Sequence, residues 1–210
     1  MAKKEAPLHA LQQFLPPQTL EPVLHYLHHY KVHLTVARER KTILGDYRHR
    51  TRTEAHRISV NGNLNQYAFL ITLLHELAHL LTFEEWGGRV QAHGREWKTT
   101  FGKLLEQFIQ HDIFPADIKA ALLRSLHNPA ASSCADEVLL RVLRGYDKKP
   151  DGVVFVETVA LGALFQTSDG RVFRKGVKMR KRFKCEEIAT KRLYLFSPVY
   201  EVKLVDETAN

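Results

Sequence analysis

Apolar positions recur along this chain at two different spacings, and the change from one to the other divides it. After Pro16 and Pro17, "QTLEPVLHYLHHY" sets Leu20, Val23, Leu24 and Leu27 three and four residues apart, with Thr19 or Gln18 at the start, which predicts a first helix. Three short pieces follow, "KVHLTVARE", "TILGDYRHR" and "AHRISVN". They are rich in Val, Ile and Thr and punctuated by Gly45 and by "NGN" at residues 61 to 63, and they predict a small antiparallel sheet. From Leu64 to about Phe83 the spacing turns helical again, but here leucines and other apolar residues surround the helix on nearly every side. "EEWGGRVQAHG" breaks that run with three glycines. "REWKTTFGKLLEQF" restarts a helix with Trp97, Phe101, Leu104, Leu105 and Phe108 on one face, and "PADIKAALLRSL" predicts a shorter one after Pro115.

At "HNPAASSC" the composition shifts to the small and turn-forming residues typical of a link, predicting two units, residues 1–130 and 131–210. Beyond it, "DEVLLRVL", "GVVFVETV", "GALFQT", "RVFRKG", "KMRKRFKCEEI", "KRLYLFS" and "VYEVKLV" are short, β-rich and separated by turn signals, so the second unit is expected to be a small all-β, barrel-like module. A length of 210 residues suits one well-cored domain with such a module beside it. The opening "MAKKEAPLHALQQFLPP" breaks its apolar pieces too often for a secretory signal, and no other segment approaches the roughly 18 apolar residues of a membrane span. A cytoplasmic protein without a membrane partner is the expectation. Cys134 and Cys185 are the only cysteines, too few for a disulfide framework or a four-cysteine zinc ribbon, and both are expected to be reduced. The net charge of +8 favours a polyanionic partner.

Residues 73 to 81, "LLHELAHLL", place three titratable groups inside the apolar helix. A buried carboxylate without a partner is expensive, and a divalent cation is one partner that could hold all three groups there. His75 and His79 are four apart, so both imidazoles leave one helix face and can converge on one ion. Glu76 lies about 100° around the helix, where it reaches toward water instead. A catalytic zinc needs a third protein ligand and an open position. His93 is the candidate, because it stands four residues before Trp97 and eight before Phe101 and so continues the apolar stripe of the next helix. His25, His28, His29 and His111 read as solvated helix faces.

"LLHELAHLLTFEEWGGRVQAHGREWKTTF" resembles the core of the SprT-like zinc metalloprotease family, in which a His-Glu-x-x-His helix is followed by a third histidine in a His-Gly-x-x-aromatic segment. The resemblance covers about residues 15 to 126 and implies a zincin-like α+β domain, with helices packed on a small antiparallel sheet. It also implies a zinc ion held by His75, His79 and His93, and Glu76 as the base that takes a proton from the zinc-activated water. Trp97 stands where phenylalanine is more usual. The cysteine-rich zinc ribbon of many relatives is missing from this sequence. Family members are associated with proteolysis of DNA-bound proteins, including DNA-protein crosslinks, so the resemblance implies protein substrates on DNA.

Charge bears on that expectation separately. "RVFRKGVKMRKRFK" carries eight basic and no acidic residues over positions 171 to 184, interleaved with Phe173 and Phe183. Arg171, Arg174, Lys178, Arg180, Arg182 and Lys184 are the candidate DNA contacts; on a strand, Arg180, Arg182 and Lys184 would share one face and track a phosphate backbone. A solvated strand pair that keeps its edges from aggregating is the competing reading of the same run. At the level of function the rival is a nucleic-acid-binding protein with a structural zinc or without hydrolysis. An intact Glu76 and a set of three ligands, where a structural site uses four, weigh against it.

Overall fold

The computed structural model describes residues 8–40, 42–130, 136–148 and 152–205. They form two compact units that divide between Asp147 and Lys148. In the first, a 3₁₀ turn at Leu8–Phe14 precedes α1 (Leu20–His29), three strands β1 (His33–Ala37), β2 (Gly45–Arg48) and β3 (Arg57–Asn61), and then helices α2 (Gln66–Trp86), α3 (Arg95–Gln110), α4 (Ala116–Ser125) and α5 (Glu137–Arg144). The second unit has β4 (Val153–Phe155), β5 (Leu164–Gln166), β6 (Val172–Arg174), β7 (Lys178–Met179), β8 (Arg182–Glu187), β9 (Leu193–Phe196) and β10 (Glu201–Leu204). Among the described residues no helix is long and apolar enough to cross a membrane.

The chain is mixed helix and sheet, as its spacing predicts, but the first sheet is not purely antiparallel. Its order is β1-β3-β2, with β1 parallel to β3 and only β2 antiparallel to it. Period-two alternation says which face a residue takes and nothing about strand direction, so the antiparallel expectation went beyond what the spacing carries. Direction is fixed at the connection between β1 and β2, where Arg40 donates to Asn61 Oδ1 (2.8 Å) and Ser59 Oγ (3.0 Å). The Asn61 amide donates in turn to the carbonyls of Arg40 and Ile43 (3.1 and 3.0 Å). This carries the chain past the end of β3 and places β2 on its far side.

α2 runs through the middle of the first unit's core, which explains its lack of a polar face: Phe69, Leu70, Leu73, Leu74, Leu77 and Leu80 are all fully buried. Asn65 starts it, its Oδ1 accepting from the amides of Tyr67 and Ala68 (3.1 and 3.0 Å). Gly87 stops it at φ 64°, a conformation that costs glycine least.

"DEVLLRVL" is a helix and not a strand. Asp136 caps α5 by accepting from the amides of Val138 and Leu139, and Leu139 and Leu143, four residues apart, are buried in the core of the first unit. Its branched residues suggested a strand, but the cap and the leucine spacing decide the matter. The unit therefore reaches Asp147 instead of ending at residue 130; of the expected link "HNPAASSC", residues 131–134 lie outside the described residues.

In the second unit seven strands pair antiparallel in the order β4-β10-β5-β6-β8-β7, with β9 on the other side of β8. This is the expected all-β module, though the pairings among the described residues do not close a barrel. Val156, Phe165, Phe173, Cys185, Phe196 and Val202 make its core. Cys185 is a free thiol, as expected, and Cys134 lies outside the described residues.

Candidate metal centre

His75 and His79 leave α2 one turn apart, and the turn before α3 brings His93 to the same point. Their Nε2 atoms form a triangle with sides of 3.2 Å (His75 to His79), 3.1 Å (His79 to His93) and 3.3 Å (His75 to His93). An imidazole nitrogen either donates or accepts, never both, so three nitrogens facing one another cannot all be hydrogen-bonded and at least one pair repels. A cation among them removes that conflict. Zinc–nitrogen bonds of about 2.0 to 2.1 Å in a tetrahedral set put neighbouring nitrogens roughly 3.3 to 3.4 Å apart, close to the spacing found. The donor set fits zinc. Among the described residues these three make up the group that could hold a metal.

The site rests on Trp97, whose ring lies 4.7 Å from His75, 5.2 Å from His79 and 4.7 Å from His93, centroid to centroid. Its indole is fully buried, and its Nε1 has no hydrogen-bond partner among the described residues. Burial and the neighbouring imidazoles hold His75 down to about 3 and His79 to about 4; burial, with Lys98 nearby, also lowers His93. Each imidazole is thereby kept neutral, the form that binds metal.

Glu76 is 6% exposed and wedged between α2 and β2. A Cβ on Gly45 would come within 2.5 Å of Glu76 Oε1 and 2.9 Å of Thr72 Cγ2, so only glycine lets the strand approach so closely. Burial, reinforced by the Asp46 carboxylate and opposed by Arg40, pushes the Glu76 carboxyl up to about 8. A cation nearby acts in the same direction as Arg40.

Residues 18–118 match the SprT-like family, a stretch that runs from α1 into α4 and contains every residue of this centre. The chain belongs to the SprT-like family. That makes the first unit a zinc metalloprotease-type domain by family, with three histidines able to bind the metal. No curated protein and no solved structure matches the chain.

Around this SprT-like centre lies a network that sequence spacing did not reveal. The Tyr47 ring lies parallel to His79 (2°, 6.4 Å between centroids), and its hydroxyl is 3.0 Å from His56 Nδ1. His56 Nε2 faces Glu84 Oε1 at 3.3 Å, so Nδ1 is left to accept from the Tyr47 hydroxyl and the Arg50 amide. Arg50 closes the network with two hydrogen bonds to Glu84 (3.0 and 3.1 Å). His25, His28, His29 and His111 are exposed, as read from the sequence, whereas His56 is buried. The available signal was "DYRHR": alternate residues of that strand, Gly45 and Tyr47, with His49 just beyond it, meet Glu76, His79 and Phe83 in turn.

In the second unit Arg171, Arg174, Lys178, Arg180, Arg182 and Lys184 are all exposed. Arg182 and Lys184 share a face of β8. Arg180 does not join them on a strand, because it stands in the turn between β7 and β8 with φ 55°. Arg171 is paired with Asp169 (2.8 Å) and lies over the rings of Phe173 and Tyr194. Lys175, also in the run, is buried and donates to the carbonyls of Glu157 (3.0 Å) and Val159. It belongs to the core, out of reach of a phosphate.

Proposed function

We propose that the chain is a zinc-dependent metalloendopeptidase of the SprT-like type, with Glu76 as general base and proteins associated with DNA as its substrates. The convergence of three neutral imidazoles beside one buried carboxylate is the observation that supports this most. Held by His75, His79 and His93, zinc would supply a Lewis acid that polarises the scissile carbonyl and acidifies the attacking water. Glu76 takes the proton from that water on a carboxylate oxygen and gives it to the amide nitrogen that leaves. The close approach of β2 at Gly45 confines the carboxylate while it does so.

β2 is the outer strand of its sheet among the described residues, and it runs beside α2 past Glu76 and His79. An extended substrate pairing with its free edge would carry its backbone across the site through main-chain hydrogen bonds, which makes recognition depend on access to an unfolded segment. For the DNA association, the support is the exposed basic run of the second unit together with the family resemblance. Those side chains would bind phosphates and raise the local concentration of DNA-bound protein around the catalytic unit.

The test combines zinc analysis with casein hydrolysis for the wild type and Glu76→Gln. The amide is nearly isosteric but takes no proton, so zinc content is expected to stay at one per chain while hydrolysis falls about 100- to 10,000-fold. Comparable hydrolysis by the two proteins would refute the role of Glu76, and loss of zinc in the variant would make the carboxylate a ligand.

A further inference from the structure

The three histidines and Glu76 open on a cavity of about 550 Å³ that extends well beyond them. Its far wall is built by Ile71 of α2, Phe101 and Leu105 of α3, Leu122 of α4 and Leu139 of α5. None of these five is more than 5% exposed, so the wall is a fixed part of the core. Beyond the metal centre itself, the charged groups among the described lining residues are Asp46 and Asp136, and both are already engaged. Asp46 accepts from Arg48 Nε (3.0 Å), while Asp136 caps α5. A phosphate entering this space would meet no lysine or arginine among the described lining residues, and a basic side chain would meet only carboxylates that already hold partners. An apolar side chain meets a matching surface, in a cavity of the size and composition usual for ligand sites.

We infer that this cavity is the subsite for the substrate residue adjoining the scissile bond, and that it selects bulky apolar side chains such as leucine, phenylalanine and methionine. The inference rests on the peptidase reading above. Consecutive Cα atoms are only about 3.8 Å apart, so a peptide whose carbonyl reaches Glu76 and the histidines has its neighbouring side chain at the mouth of the same continuous cavity. Leu122 and Leu139 lie beyond residue 118, where the family match ends. The preference therefore draws on what α4 and α5 add in this chain as well as on Ile71, Phe101 and Leu105 of the matched segment. A pocket of this kind separates leucine from alanine by roughly tenfold or more in kcat/KM.

The full chain loaded with zinc is given a mixed peptide library and the cut sites are read by mass spectrometry. Two peptides that differ only in leucine or alanine beside the cut then give the selectivity ratio. Leucine, phenylalanine and methionine are expected at one fixed position, with a leucine-to-alanine ratio of about ten or more. Ser125 lines the same cavity and is half-buried, so Ser125→Phe adds a ring there without opening a hole in the core, and the ratio should fall toward one. A second arm needs no turnover: methyl-labelled Glu76→Gln protein is titrated with N-acetyl-leucinamide and with N-acetylglycinamide. The Leu122 and Leu139 methyl resonances should shift with the first compound alone. Cleavage without residue preference, an unchanged ratio in Ser125→Phe, or methyls that ignore both amides would each overturn the subsite. If no peptide is cut at all, the peptidase reading falls, and the methyl shifts still decide whether the cavity takes an apolar side chain.

Discussion

Both units bury ionisable groups, but they satisfy them in opposite ways. In the second unit Lys175 is enclosed with its ammonium on two backbone carbonyls and 4.3 Å from the centre of the Phe183 ring, and Glu187 is enclosed with Thr190 donating to its carboxylate. Every buried charge there ends on a partner from the chain. In the first unit His75, His79 and His93 turn their nitrogens toward one another in contacts that cannot all be hydrogen bonds, and Glu76 sits beside them. The first arrangement is architecture, complete as it stands. The second becomes consistent only when something with positive charge is added, which is what distinguishes a binding site from a buried polar network. The Tyr47, His56, Glu84 and Arg50 network shows that the contrast does not follow the division into units, since it is as closed as anything in the second unit.

The largest effect expected from this contrast is on metal-dependent stability. At a hundred times its Kd, zinc would stabilise the first unit by about 2.7 kcal/mol, roughly a hundredfold in its folding constant, and leave the second unaltered. Hydrogen exchange resolved by peptide, with zinc and with chelator, measures both units in one sample. Equal protection of the second unit by zinc would break the comparison. The chelated protein offers a second reading by pH. All 12 histidines precede residue 148, and His75 and His79 titrate far below the 6.5 they have when unfolded. Unfolding then takes up protons at both histidines below about 6.5 and releases only the one that Glu76 holds, so the stability of the first unit should decline as pH falls from 6.5 toward 4. The second unit, without histidine, has no such contribution to lose.

Lys175→Met tests the closed side. Methionine keeps much of the side chain's length but cannot donate, leaving the buried carbonyls of Glu157 and Val159 short of a partner, at a cost of about 1 to 3 kcal/mol in the second unit. Denaturant melts followed in that unit check the loss, and zinc binding should not change. A smaller and more local effect is expected at the open site. Gly45→Ala puts a methyl against Glu76 and Thr72, so the base must shift, and hydrolysis should fall roughly tenfold or more while zinc content is kept. Undiminished hydrolysis would mean that Glu76 has room to move, against the confinement described for it.

How far the sequence reached follows the same line. The convergence of His75, His79 and His93 was legible because its geometry is local: i and i+4 on one helix, then a third histidine in phase with the next apolar stripe. α2 was legible as a buried helix, since no face of it is polar. Strand direction in the first sheet was not, because it depends on Arg40 and Asn61 meeting across 21 positions. α5 was misread for a different reason: its signals, the Asp136 cap and the spacing of Leu139 and Leu143, are local, but its branched residues were given more weight. The wedge at Gly45 and the apolar cavity wall are contacts between elements, for which periodicity has no signal.

The smallest effect expected concerns charges that neither unit buries. Arg182 and Lys184 share the outer face of β8, and Arg180 precedes them in the turn, all three exposed. If they bind DNA, replacing all three by glutamine should weaken affinity several-fold at moderate salt and make the slope of log affinity against log salt shallower by up to about 2.7, since each phosphate contact contributes roughly 0.9 on duplex DNA. Cleavage of free casein should not change, because a tether acts on local concentration and leaves the turnover of an untethered substrate alone. Fluorescence anisotropy with labelled duplex at two salt concentrations, beside a casein assay, makes the measurement. An unaltered salt slope would return these residues to the competing reading of a solvated strand pair. Lys175, held on its two backbone carbonyls, would keep its structural role in either outcome.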